Sequence, residues 1–127
     1  LLRFPAFRGC KVLLVHTGYP YQAEAGYMAN MLPRVYCDVS EGIPFAAYAA
    51  RRIYAEVREM APLSKVVYGA DGYVVPEIAY VGAMLGKTAL AQTLAELVTA
   101  GMLSQGEAEI AAGQILAGNA RRLYGLE

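Results

Sequence analysis

The stretch KVLLVHTGYP, residues 11–20, decides how the rest of the chain is read. Its apolar run, Val12 to Val15, leads directly into the single histidine of the chain, His16, and then into Thr-Gly-Tyr-Pro, whose glycine and proline mark a turn. A histidine that merely filled core space would more often lie inside the run. Here it follows the run, so the pattern predicts a strand over Lys11 to His16 with the imidazole at its exit.

Working outward, two more runs rich in Val, Leu and Tyr have strand character, Arg34 to Val39 and Lys65 to Gly69. Helical segments separate them. Pro20 to Met31 suits a helix with proline near its first turn, ended by Pro33. From Pro44 to Ala61, Ala46, Ala49, Ile53, Val57 and Met60 recur at intervals of three and four, with Arg52, Glu56 and Glu59 on another face and Pro62 as the stop. After the third strand, about Pro76 to Ala100 is predicted helical, with Gly86 as a candidate break and Gly101 as the C-cap. Ser104 stands three residues before Glu107, the spacing of a capping box, and opens a last helix that runs towards Tyr124. Gly106, Gly113 and Gly118 weaken that helix, which therefore depends on packing.

The order β-α-β-α-β-α-α implies parallel strands with right-handed crossovers, an α/β fold. In such folds the C-terminal ends of the strands share one edge of the sheet, and ligands bind there. Three exits result. The first is His16, the second carries Asp38 and Ser40 in CDVSEG, and the third carries Asp71 in YGADGY. Asp38 and Ser40 have an ordinary reading as caps of the following helix, and Asp71-Gly72 as a turn. Together, His16 and Asp71 offer both the donor types of a first-row metal site and the commonest proton-transfer groups. With one strand between them their backbones would lie ~10 Å apart, close enough for the side chains to converge. Tyr19, Tyr21 and Tyr73 flank the exits and could line a pocket; Tyr19, Ser40 and Tyr73 are the candidate substrate contacts. Ser40, His16 and Asp38 contain the atoms of a nucleophilic triad, but VSEGI lacks the Gly-x-Ser-x-Gly turn that exposes a serine nucleophile. No Gly-x-Gly-x-x-Gly or Gly-Lys-Ser/Thr phosphate cradle is present.

Composition excludes other classes. At 127 residues and 57% hydrophobic, the chain is one domain or less, with ample material for a core. Eleven basic residues balance eleven acidic ones, leaving no electrostatic footprint for nucleic acid or a membrane surface. VVPEIAYVGAMLG, the most apolar later stretch, is interrupted by Pro76 and Glu77, short of the ~18 apolar residues of a membrane span. Cys10 and Cys37 are 27 residues apart, without the close pairing of zinc or redox motifs, so both are expected as reduced thiols in a cytoplasmic protein.

In order, VLLVHTGYP, VYCDVS, VVYGADGY and the closing GNARRLYGL resemble the last third of the amidohydrolase superfamily's metal-dependent barrel. The likeness is to the branch that includes aminocarboxymuconate-semialdehyde decarboxylase and the domains fused to glutamine synthetase. It spans nearly the whole chain. The resemblance implies that the three strands are the sixth, seventh and eighth of a (β/α)8 TIM-type barrel, and that residues 1–127 are its C-terminal portion as a single unit. It implies that Asp71 binds a divalent metal, zinc or manganese, and moves a proton to or from the attacking water, with His16 as a further ligand or proton donor and acceptor. GNARRLYGL is implied to be the helix that packs under the barrel.

The family's His-x-His on the first strand and its ligand on the fifth have no counterpart in this chain, whose first residue is Leu1. A catalytic zinc ordinarily has three protein ligands, and His16 with Asp71 supplies two. The expectation is therefore a fragment of a metal-dependent hydrolase acting on amide or related C–N or C–O bonds of a small molecule. It would be inactive alone and would depend on the missing N-terminal barrel half or on self-association to cover its open sheet edges. A non-oxidative decarboxylase of the same family, or a non-catalytic half-barrel that serves assembly, are the competing expectations.

Overall fold

The computed structural model describes residues 5–126. Three short strands, β1 (Val12–Leu14), β2 (Val35–Asp38) and β3 (Val66–Val67), form a parallel sheet in the order β1-β2-β3. Val12 pairs with Val35 and Leu14 with Cys37, and on the other side Cys37 pairs with Val66 and Asp38 with Val67. The strands lie inside their predicted spans and are shorter. At β3 the reason is visible, since the Tyr68 N–H turns to the carbonyl of Ile115 at 3.1 Å instead of continuing the ladder.

Among the described residues six α-helices pack with the sheet: α1 (Gln22–Met31), α2 (Gly42–Phe45), α3 (Ala50–Arg58), α4 (Pro76–Thr99), α5 (Gln105–Gly113) and α6 (Asn119–Tyr124). The predicted helix over Pro44 to Ala61 is two helices joined by a short 3-10 turn, Ala47–Ala49. Its inward face is Ala50, Ile53, Tyr54 and Val57, whereas Met60 is exposed. Gly86 does not break α4. The Tyr68 ring packs against it so closely that a Cβ would collide with Cε2, so glycine is kept there for contact with the sheet. Helix α1 begins after Pro20 rather than at it. Gly101 ends α4 in the left-handed region, at φ +69°, and the Ser104–Glu107 capping box is formed.

Alternation along β2 sorts the two faces of the sheet. Val35, Cys37 and Val39 point into a core shared with Ala25 and Ala29 of α1, Ile53 and Val57 of α3, and Leu90 and Leu94 of α4. Tyr36 and Asp38 therefore belong to the opposite face. Both cysteines are free thiols, Cys10 exposed and Cys37 buried, and burial pushes the Cys37 thiol up to about 11.

The N-terminal ends of the strands are closed by α6 and by two lysines. Asn119 Nδ2 donates to the carbonyls of Leu63 and Val66 at 2.8 and 2.7 Å, Lys11 Nζ to that of Leu123 at 2.9 Å, and Lys65 Nζ to those of Ala29 and Leu32 at 2.6 and 2.8 Å. No helix among the described residues is long and apolar enough to cross a membrane.

Candidate functional site

At the opposite end of the sheet, each strand runs into a loop with unusual backbone geometry. After β1, His16 and Thr17 both have positive φ, 59° and 52°. After β2, Glu41 has φ 56° and ψ −58°, and the Gly42 N–H donates to the Ser40 carbonyl, which makes a γ-turn of the rare, strained kind. After β3, Asp71 has φ 54°. Positive φ in a non-glycine residue costs of order 1–3 kcal/mol and persists where the surroundings impose it. Three exits in succession carry it.

These turns bring three side chains together. His16 Nε2 lies 3.5 Å from Glu41 Oε2 and 4.0 Å from Asp71 Oδ2, and one donor atom from each residue falls within 4.8 Å of the others. The strand between β1 and β3 thus does not keep His16 and Asp71 apart. It contributes Glu41 to the gap. The imidazole is mostly buried, while the two carboxylates are about half exposed.

On its other side the His16 ring is held from below. His16 Nδ1 is 3.0 Å from Ser40 Oγ, the Ser40 hydroxyl donates to Asp38 Oδ2, and the Ser40 N–H donates to Asp38 Oδ1 at 3.0 Å. The serine stands between the carboxylate and the imidazole. In a nucleophilic triad the imidazole stands between the other two, so this is not one. Nor do Asp38 and Ser40 cap the next helix: α2 has Glu41 at its N-cap and no side-chain cap.

Of the other residues expected here, Ser40 is buried, with its hydroxyl engaged by protein on both sides. Tyr19 is half exposed beside Gly42, at the rim. Tyr73 is 91% exposed on the loop after β3, without a hydrogen bond to the cluster among the described residues. Sequence reasoning missed Glu41. The available signal was its position directly after Ser40, ahead of Gly42, at the same level as His16 and Asp71.

One imidazole nitrogen and two carboxylate oxygens are a donor set for a divalent cation of the zinc or manganese kind. Bonds of ~2.0–2.2 Å place neighbouring ligand atoms of a tetrahedral ion ~3.4 Å apart. The His16–Glu41 separation already matches this, and exposed Asp71 has room to close the remainder.

The parallel sheet with helical crossovers is a mixed α/β arrangement of the kind found in part of a β/α barrel, with the ionisable cluster at its C-terminal strand ends. The chain belongs to the amidohydrolase superfamily, whose family model, described as amidohydrolase, matches residues 3–126. It is similar to protein fluG of Emericella nidulans, 34% identical over 115 residues, which are 90% of this chain and 13% of that protein. It is also similar to a solved structure from Lactobacillus casei ATCC 334, provisionally named a metal-dependent hydrolase. There the TM-score is 0.86 and the identity 29%, over 93% of this chain and 30% of the other. The chain thus spans less than a third of either relative.

Proposed function

We propose that the chain is the C-terminal part, strands six to eight, of a (β/α)8 barrel that works as a metal-dependent hydrolase on an amide or related C–N or C–O bond of a small molecule. The observation that carries this reading is the convergence of His16, Glu41 and Asp71 from three successive strand exits. The name of the Lactobacillus casei relative and the share of it that this chain covers support it further.

His16, Glu41 and Asp71 would hold a divalent cation, zinc or manganese, together with ligands from the rest of the barrel. A cation in such a site lowers the pKa of bound water to near neutrality and polarises the bond to be cleaved. Asp71 is the residue to take the proton of the attacking water. Where the barrel's other ligands hold the cation instead, His16, with Nε2 directed into the cluster, is the residue to accept a proton there and hand it to the leaving group. Tyr19 and Tyr73 contribute apolar surface at the rim. With both thiols free and burial suppressing ionisation of Cys37, a reducing, cytoplasmic setting fits the chain.

The missing N-terminal barrel half, or a second copy of the chain, is the partner. Among the described residues the outer edge of β1, with half-buried Val12, Leu13 and Leu14, is unpaired, and Tyr27, Met28 and Met31 expose apolar surface on the neighbouring α1. A non-catalytic assembly module would use these same surfaces.

The test is to join the chain to the N-terminal portion of its barrel, add zinc or manganese, and assay hydrolysis of small amides. Metal-dependent turnover that Asp71→Asn abolishes is the expected result. Release of carbon dioxide without consumption of water would replace hydrolysis by decarboxylation. A tight oligomer that binds no metal would replace both by the assembly module.

A further inference from the structure

Asp38 and Ser40 are 8% and 5% exposed, and a buried carboxylate keeps its charge only where donors meet it. Two do so. The Ser40 N–H reaches Asp38 Oδ1 at 3.0 Å, and the Ser40 hydroxyl reaches Asp38 Oδ2. A hydroxyl has one proton to give. With that proton directed to Asp38, Ser40 Oγ can meet His16 only as an acceptor, so the 3.0 Å contact to His16 Nδ1 places the ring proton on Nδ1. On the far side of the ring, Nε2 stands 3.5 and 4.0 Å from the Glu41 and Asp71 oxygens, beyond the ~2.7–3.2 Å of an N–H···O bond. Neither oxygen is within hydrogen-bond reach of Nε2, whereas Ser40 Oγ is within reach of Nδ1.

We propose that Asp38 and Ser40 are positioning residues that lock neutral His16 as its Nδ1–H tautomer and hold the Nε2 lone pair open towards Glu41 and Asp71. The proposal rests on the reading of that cluster as the reactive centre and adds how its imidazole is prepared. A histidine side chain in water favours the opposite tautomer, with the proton on Nε2. With the proton on Nε2 the ring would have no lone pair on the cluster side and could neither accept a proton nor bind a cation there. The relay is built into the sheet. Gly69, at the exit of β3, sits so near that a Cβ would lie 3.2 Å from Ser40 Cβ and 3.5 Å from Asp38 Oδ1.

The experiment is heteronuclear NMR of the ring nitrogens in the full-length protein, stripped of metal by a chelator, at mildly alkaline pH, with the His16 signals assigned by their loss in His16→Gln. The expected result is a protonated Nδ1 and a bare Nε2 in the parent and in Ser40→Thr, which keeps the hydroxyl, and a return to the Nε2–H tautomer in Ser40→Ala. An Nε2–H tautomer in the parent overturns the proposal whether or not any variant folds, and so does an unchanged tautomer in folded Ser40→Ala. Calorimetric titration with zinc separates the relay from the reading beneath it. Ser40→Ala is expected to bind zinc 10–100-fold more weakly, and equal affinity would overturn the positioning role. A parent that has the Nδ1–H tautomer but binds no zinc would uphold the relay and remove the metal reading.

Discussion

The two ends of the sheet use polar side chains in opposite ways. At the N-terminal end, Lys11, Lys65 and Asn119 each direct their donors to backbone carbonyls at the ends of helices and strands. At the C-terminal end, His16, Glu41 and Asp71 face one another, two of them acidic, on turns that strain the backbone. The first arrangement lowers the energy of the fold. The second raises it, and a protein keeps such a site where the arrangement serves chemistry.

If that contrast is right, substitutions at the two ends should separate stability from activity. The largest effect is expected for Asp71→Asn in the complete protein, a loss of at least ~100-fold in kcat/KM, about 2.7 kcal/mol of transition-state stabilisation. The denaturation midpoint should stay within experimental error of the parent or rise, because one of two facing carboxylates is neutralised. A fall in stability that matches the fall in activity would break the comparison.

Asn119→Ala is the counterpart at the other end. Its side chain is 1% exposed and bonds two carbonyls; the Leu63 carbonyl keeps the Val66 N–H, so truncation strands that of Val66 and should cost about 2 kcal/mol in urea unfolding. Activity per folded molecule should not change. A drop in kcat/KM without destabilisation would mean that the lower end is coupled to the site.

How much of this contrast the sequence reveals depends on the range over which each feature is set. The parallel order and the exits follow from local patterns: apolar runs of strand length, proline stops and glycine turns. His16 and Asp71 were legible because each sits where a run ends. Glu41 was not, since its place in the cluster comes from a γ-turn, a conformation that no local pattern of residue types around Glu41 announces. The split of the second helix has the same origin. The intervals of three and four continue across Ala46 to Ala49, while the chain must tilt there to lay Ile43 and Ile53 into one core. Gly86 misled for a related reason. A glycine that lets an aromatic ring approach and a glycine that ends a helix look alike until the ring is placed.

Glu41 offers a sharper version of the comparison, with a smaller effect. Glycine adopts positive φ without a Cβ penalty, so Glu41→Gly should stabilise the fold by about 1 kcal/mol in equilibrium denaturation. It should also weaken zinc binding, measured by calorimetry, by at least ~10-fold. Stability that rises with affinity unchanged would show that the strained turn carries no ligand.

The smallest effect is expected away from both ends, at the cap of α5, which provides a baseline for the others. Glu107 accepts from the Ser104 N–H, and this hydrogen bond, together with that from the Ser104 hydroxyl, holds its carboxyl below the usual carboxylate range. A carboxylate with a lowered folded pKa stabilises the fold above its unfolded value and loses that contribution as pH falls through the folded one. The group is fully solvent-exposed, so the acid-side loss should be slight. In Glu107→Gln it should vanish, leaving a marginally lower midpoint at neutral pH that no longer depends on this group below about pH 4.5. Zinc affinity and the His16 tautomer should not respond. If they did, the two ends of the sheet could not be regarded as separable, because a surface cap that touches neither would be reporting on both.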